Sequence, residues 1–143
     1  MNPDSRRRLE ELLDREIELA HCLSATLAAE KTALTGDSPQ AVEQNAAEKI
    51  LLFGTIEKLE EERRTLCSDP SGAGIAVSIA QRWRTLLELL AGCRTANEVN
   101  GHIIHVRQHQ VRQLIDIVRG GPSITYGPQG KTFAKAARAL ARA

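Results

Sequence analysis

His102, His105 and His109 fall within the stretch "NEVNGHIIHVRQHQVRQLIDIVRGG", residues 97 to 121. On a helix such spacings put imidazoles on neighbouring turns, where their ring nitrogens suit zinc or nickel. A structural zinc site needs four donors, and only Glu98 adds a carboxylate nearby. The three histidines therefore read as solvent-facing polarity, able at most to chelate an adventitious ion through His105 and His109, and no native metal is expected. Cys22, Cys67 and Cys93 lie far apart, odd in number and without a CxxC pair. They read as buried helix residues of a reducing compartment, not as a disulfide framework or zinc knuckle. "GPQGKT", residues 127 to 132, ends like a phosphate loop but lacks the earlier glycine and the preceding strand. No dinucleotide fingerprint, no G-x-S-x-G and no base beside a Ser or Cys nucleophile is present. Neither catalysis nor a cofactor is supported.

The elements that must carry these residues are long helices. Aromatics make up 3% of the 143 residues, and Ala, Leu, Glu, Arg and Gln dominate, the composition of helices and coiled coils. Asp4 or Ser5 can cap a first helix over about residues 5–35, in which Leu13, Ala20, Leu27 and Leu34 recur every seven residues. "TGDSP" stops it: Gly36 suits a helix end, and Ser38 with Pro39 suits the cap and first turn of the next. A second helix over about 39–67 places Val42, Ala46, Ile50, Phe53, Ile56, Leu59 and Leu66 on one side and the solvated run "EKLEEERR" on the other. "SDPSGAG", residues 68 to 74, is a turn that reverses the chain.

A third pattern, about 75–119, repeats Trp83, Leu90, Asn97, Ile104, Val111 and Val118 every seven residues, beside a row of Ile79, Leu86, Cys93, Asn100 and Leu114 that Arg107 interrupts. If Gly92 and Gly101 are tolerated it is one helix of about 65 Å at 1.5 Å per residue, with a kink expected, if anywhere, at either glycine. Taking Ile104 as zero and about 100° per residue, His105, His109 and His102 lie roughly 100–160° away, off the core row. Asn97 and Asn100 lie on the seam rows, where a buried amide must find partners and so tends to fix register; direct hydrogen bonding to a bound peptide is the functional rival.

Beyond Gly120 the segment "GGPSITYGPQGK" holds four Gly and two Pro and cannot be a regular element, so residues 121–143 are expected to form a mobile tail. "KTFAKAARALARA" places Phe133, Ala136, Ala137 and Leu140 on one face with Lys131, Lys135, Arg138 and Arg142 around it. That length is marginal for an isolated helix and folds more readily on a partner. The expected fold is all-α, an elongated antiparallel three-helix bundle or coiled coil over residues 1–120 with a flexible C-terminal tail over 121–143.

The formal net charge of +1 conceals a split: fourteen acidic and nine basic side chains through residue 68, then four and ten. Four positive charges and two aromatics in the tail are too few to favour nucleic acid over a solvated basic tail. "MNPDSRRRLEELLDREIE" is charged from its start, and "WRTLLELLAG" is broken by Arg84 and Glu88, so a cytoplasmic protein with no membrane insertion is expected.

The first Leu/Glu helix, "ALTGDSPQAVEQNAAEKILLFGTIEKLEEER", the later Trp followed by "LLELLAGCRTANEVNGHIIHVRQHQVRQLIDIV", and the tail with "TYGPQGKT" together resemble the FlgN family of flagellar type III secretion chaperones. The resemblance spans nearly the whole chain. Its most specific parts are Asn-x-x-Asn-Gly, Asn97 to Gly101, and Tyr-Gly-x-x-Gly, Tyr126 to Gly130. It implies a cytoplasmic, non-enzymatic chaperone that keeps the terminal helices of hook-filament junction (hook-associated) proteins from assembling early and delivers them to the cytoplasmic domain of the flagellar export gate. In the family the C-terminal part carries cargo binding, which maps here onto Val111, Leu114, Ile115 and Val118 and onto the tail. With the seam residues Asn97, Asn100 and Ile104 and the tail residues Phe133 and Leu140, these form the expected cargo site. Tyr126, just after the last long helix, is the residue the resemblance implies for docking on the export gate; packing back on the bundle is the alternative. A homodimeric coiled-coil adaptor, burying its apolar row against a second copy, is the competing reading.

Overall fold

The computed structural model describes residues 1–120, and among these the chain is all helical, without strands. Three helices follow in order, α1 (Pro3–Thr35), α2 (Pro39–Leu66) and α3 (Val77–Val118). Two units divide the chain, Met1–Asn100 and Gly101–Ala143, and α3 contributes to both. The expected tail over 121–143, with Tyr126, Phe133 and Leu140, lies outside the described residues.

The helix ends follow from local chemistry. Asn2, not Asp4 or Ser5, caps α1: its side-chain oxygen accepts from the Ser5 amide at 2.7 Å, and Pro3 fills the first turn, where a missing N–H costs nothing. Asp4 then sits in the opening turn, where a carboxylate complements the helix dipole. Gly36 closes α1 in extended backbone, its amide returning to the Ala33 carbonyl. Ser38 caps α2 by accepting from Ala41, with Pro39 beside it. In the second connection Asp69 accepts from the Ser71 amide and hydroxyl, which holds its carboxyl below the usual range, and Gly74 takes φ +84, the left-handed region that favours glycine.

Within residues 1–100 the partner spacings define the packing. Glu16 with Arg63 and Glu30 with Lys49 run in opposite senses along α1 and α2, so these two are antiparallel. Glu10 with Ser78, Asp14 with Arg82 and Leu27 with Asn100 run in the same sense along α1 and α3. The core forms where heptad rows meet. Leu9, Leu13 and Ala20 pack with Ile79 and Leu86, and Leu23 and Leu27 pack with Cys93. The Cys93 thiol faces the Ala20 carbonyl at 3.5 Å, and burial pushes its pKa up. Cys22, by contrast, is exposed and Cys67 half-buried, so only one of the three cysteines is a core residue. Cys22 lies off the rows that α1 turns inward, and Cys67 caps the end of α2.

The expected face of α2 needs correction. Ile50 is 68% exposed and Phe53 also lies at the surface, while the interior side carries Leu52, Ile56, Leu59 and Arg63. "ILLF", residues 50–53, offers an apolar residue at four successive positions and so cannot by itself select a face. Arg63, inside the run read as solvated, is 4% exposed and bonded to Glu16.

Gly92 and Gly101 are both interior to α3. A Cβ at Gly92 would meet nothing within 4 Å. Gly92→Ala is therefore expected to stabilise the protein by about 1 kcal/mol through helix propensity and reduced freedom of the unfolded chain. Urea unfolding checks it; a loss of stability would mean that the helix needs a distortion there.

Candidate functional site

Two buried polar layers cross the bundle of residues 1–100. In the first, Arg63 Nε donates to Glu16 Oε2 at 3.0 Å, and the guanidinium lies 4.4 Å from the centre of the Trp83 ring. Burial raises the Glu16 pKa, and the Arg63 charge offsets this only in part. In the second, Lys49 Nζ lies 2.9 Å from Glu30 Oε2 and donates to Asn97 Oδ1 at 3.2 Å. Asn100 Nδ2 donates to both Glu30 Oε1 and the Leu27 carbonyl at 2.9 Å. Asn100 is 1% exposed and Asn97 half-buried, so both amides of the expected cargo site are engaged inside the bundle.

Reading residue types alone missed Glu16, Glu30, Lys49 and Arg63. A signal was available in the spacing: Glu16 and Glu30 share the heptad row of Leu9 and Leu23, and Lys49 and Arg63 flank Ile56 in another. Charged residues on an apolar row require partners, and each row supplies one to the other.

Residues 101–120 carry the second feature. Ile104 is half-buried, whereas Val111 (53%), Leu114 (46%), Ile115 (41%) and Val118 (78%) are exposed. At about 100° per residue the last four lie within an arc of roughly 100°, one stripe of the helix surface. His102, His105 and His109 are all exposed, at phases roughly 120–180° from Val111, which places them off the stripe. Full burial of an aliphatic side chain yields about 1.5–3 kcal/mol, so four that are half exposed offer roughly 4 kcal/mol gross. That corresponds to millimolar affinity at best, so the stripe alone holds a partner only weakly.

Fold and site together define a class: an all-helical bundle, pinned by polar layers, whose third helix ends in an exposed apolar stripe. The chain belongs to the FlgN family, whose model, described as FlgN protein, matches residues 1–133. The flagella synthesis protein FlgN of Yersinia enterocolitica serotype O:8 / biotype 1B is 28% identical over 142 residues, covering 94% of this chain and 95% of that protein. A second flagella synthesis protein FlgN from Yersinia enterocolitica shows the same identity and coverage. No solved structure matches the chain.

Proposed function

We propose that this protein is a cytoplasmic export chaperone of the flagellar secretion system, binding hook-filament junction proteins, preventing their early assembly and delivering them to the export gate. The observation that carries the reading is the exposed row Val111, Leu114, Ile115 and Val118 on a chain of the FlgN family. An amphipathic helix laid on such a stripe buries apolar surface without any turnover. Asn97 and Asn100 enter by holding the preceding part of α3 in register, and half-buried Ile104 is assigned a cargo contact at the start of the row. Because the stripe alone supports only weak binding, Phe133 and Leu140 are assigned the remaining cargo contacts, and Tyr126 the contact with the export gate. Among the described residues no helix is long and apolar enough to cross a membrane.

Val111→Asp with Leu114→Asp is expected to abolish capture of hook-filament junction proteins, at least a hundredfold in affinity, because two charges would have to be buried or left unpaired. Circular dichroism should be unchanged, since both positions are exposed. A chain ending at Gly120 is expected to keep its helical signal and bind at least tenfold more weakly. Full-affinity binding by the shortened chain would remove the tail from the site, and retained binding by the double variant would remove the stripe. Sedimentation over a range of concentrations addresses the competing reading. A stable dimer that the double variant dissociates would make the stripe a self-association surface.

A further inference from the structure

The stripe on residues 101–120 is charged on one edge. Arg107 sits half-buried in the row itself, between Ile104 and Val111. Arg112 and Arg119 are exposed and seven residues apart, at phases of roughly 80–100° from Val111. Ile103, Gln110 and Ile117, all half-buried and uncharged, form the opposite edge. Asp116 is the single acid from residue 101 onward. None of the ion pairs among the described residues uses Arg107, Arg112 or Arg119.

Resting on the chaperone reading, we infer that the segment seated on this stripe is an acidic-edged amphipathic helix. It places carboxylates at seven-residue spacing against Arg112 and Arg119, while the stem of Arg107 lies within the stripe itself. Charges flanking an apolar seam choose the partner and its direction, as the e and g positions of coiled coils do. A second copy of this chain fits badly, because its own stripe would set arginine against arginine. The chain's later residues fit no better: Lys131, Lys135, Arg138 and Arg142 follow Asp116 without an acid among them. One-sided charge also fixes orientation, since reversing the bound helix moves its acidic edge to the uncharged side.

The test uses the full chain and three synthetic peptides of three heptads sharing one Leu/Ile stripe, with edges of Glu, Gln or Lys, titrated by fluorescence anisotropy. The Glu-edged peptide is expected to bind on the order of tenfold more tightly than the Gln-edged one, from a few exposed pairs, with the gap closing as salt rises. Arg112→Glu with Arg119→Glu should invert the order in favour of the Lys-edged peptide, its helical signal unchanged. Equal binding of Glu- and Lys-edged peptides, or an order that the charge reversal leaves alone, would overturn the acidic-edge assignment while leaving the apolar stripe as the cargo surface. Peptides that bind Val111→Asp/Leu114→Asp as well as the unaltered chain would overturn the stripe itself. Retention on phosphatidylserine vesicles that depends on Arg112 and Arg119, with no peptide preference, would reassign the edge to a lipid surface and overturn the proposal.

Discussion

Arg63→Ala is expected to lower the unfolding free energy by about 4 kcal/mol at neutral pH, because it strands a buried carboxylate. Glu16 is 2% exposed, and Arg63 Nε approaches one of its carboxylate oxygens at 3.0 Å. Removing the guanidinium deprives Glu16 of that partner and deprives Trp83 of the cation over its ring, a further loss of about 1 kcal/mol. The double variant Glu16→Leu/Arg63→Met is expected to recover most of this, since an apolar pair of similar volume avoids the desolvation cost of both charges. Urea unfolding of the unaltered chain, Glu16→Leu, Arg63→Met and the double variant measures the coupling directly. A single variant losing under about 1 kcal/mol would show that water reaches the carboxylate and that the pair is not dry.

The same substitution carries a pH signature. Burial holds the Glu16 carboxyl above its ordinary value of 4.5, so the folded chain binds this proton more tightly than the unfolded chain. The stabilisation is fully present below pH 4.5 and is lost as pH rises through the higher folded value. Arg63 lowers that folded value; without it the value climbs and the window of loss extends toward neutrality. The gap between Arg63→Ala and the unaltered chain should therefore be smaller below pH 4.5 than at neutral pH. A gap independent of pH would mean that Glu16 is not the stranded charge.

The apolar rows were the legible part of the sequence. Leu13, Ala20, Leu27 and Leu34 are buried as their spacing requires, and Ile79, Leu86, Cys93 and Asn100 form the matching row on α3. The first helix break was legible too, since Ser38 and Pro39 suit the cap and first turn in which they are found. The inner face of α2 was not. Its seam carries Lys49 and Arg63, and a rule that turns charges outward fails where a long side chain meets a carboxylate on the neighbouring helix. "ILLF" then supplied apolar residues on the wrong side as readily as on the right one. At the candidate site the stripe from Val111 to Val118 was legible as an apolar row. Whether such a row is covered or bare depends on which neighbours reach it, and spacing alone carries no information about neighbours. Asn97 and Asn100 show the same gap: their position on a seam was readable, but the identity of the groups that satisfy them was not.

Asn100→Leu is expected to cost about 2 kcal/mol, less than the stranded carboxylate of Arg63→Ala, because Glu30 keeps Lys49 as a partner. What is lost is one charge-assisted hydrogen bond to Glu30 and one to the Leu27 carbonyl; what is gained is some apolar burial at a site only 1% exposed. The larger consequence concerns alignment. Glu16 and Glu30, Lys49 and Arg63, and Trp83 and Asn97 are each two heptads apart, about 21 Å along a helix. A slip of α3 by one heptad would set Leu90 or Ile104 where Asn97 now stands and Cys93 or Arg107 where Asn100 now stands, so Lys49 would lose its amide partner in either direction. The register is thus selected by polar satisfaction, while the apolar rows alone would accept either alignment. Asn100→Leu should accordingly show faster amide exchange along α3 and a broader urea transition, and Asn100→Asp should be worse at neutral pH, where it would bring two carboxylates together. A fully cooperative Asn100→Leu variant with unchanged α3 protection would mean that the apolar packing of Leu86 and Cys93 is sufficient to align the bundle.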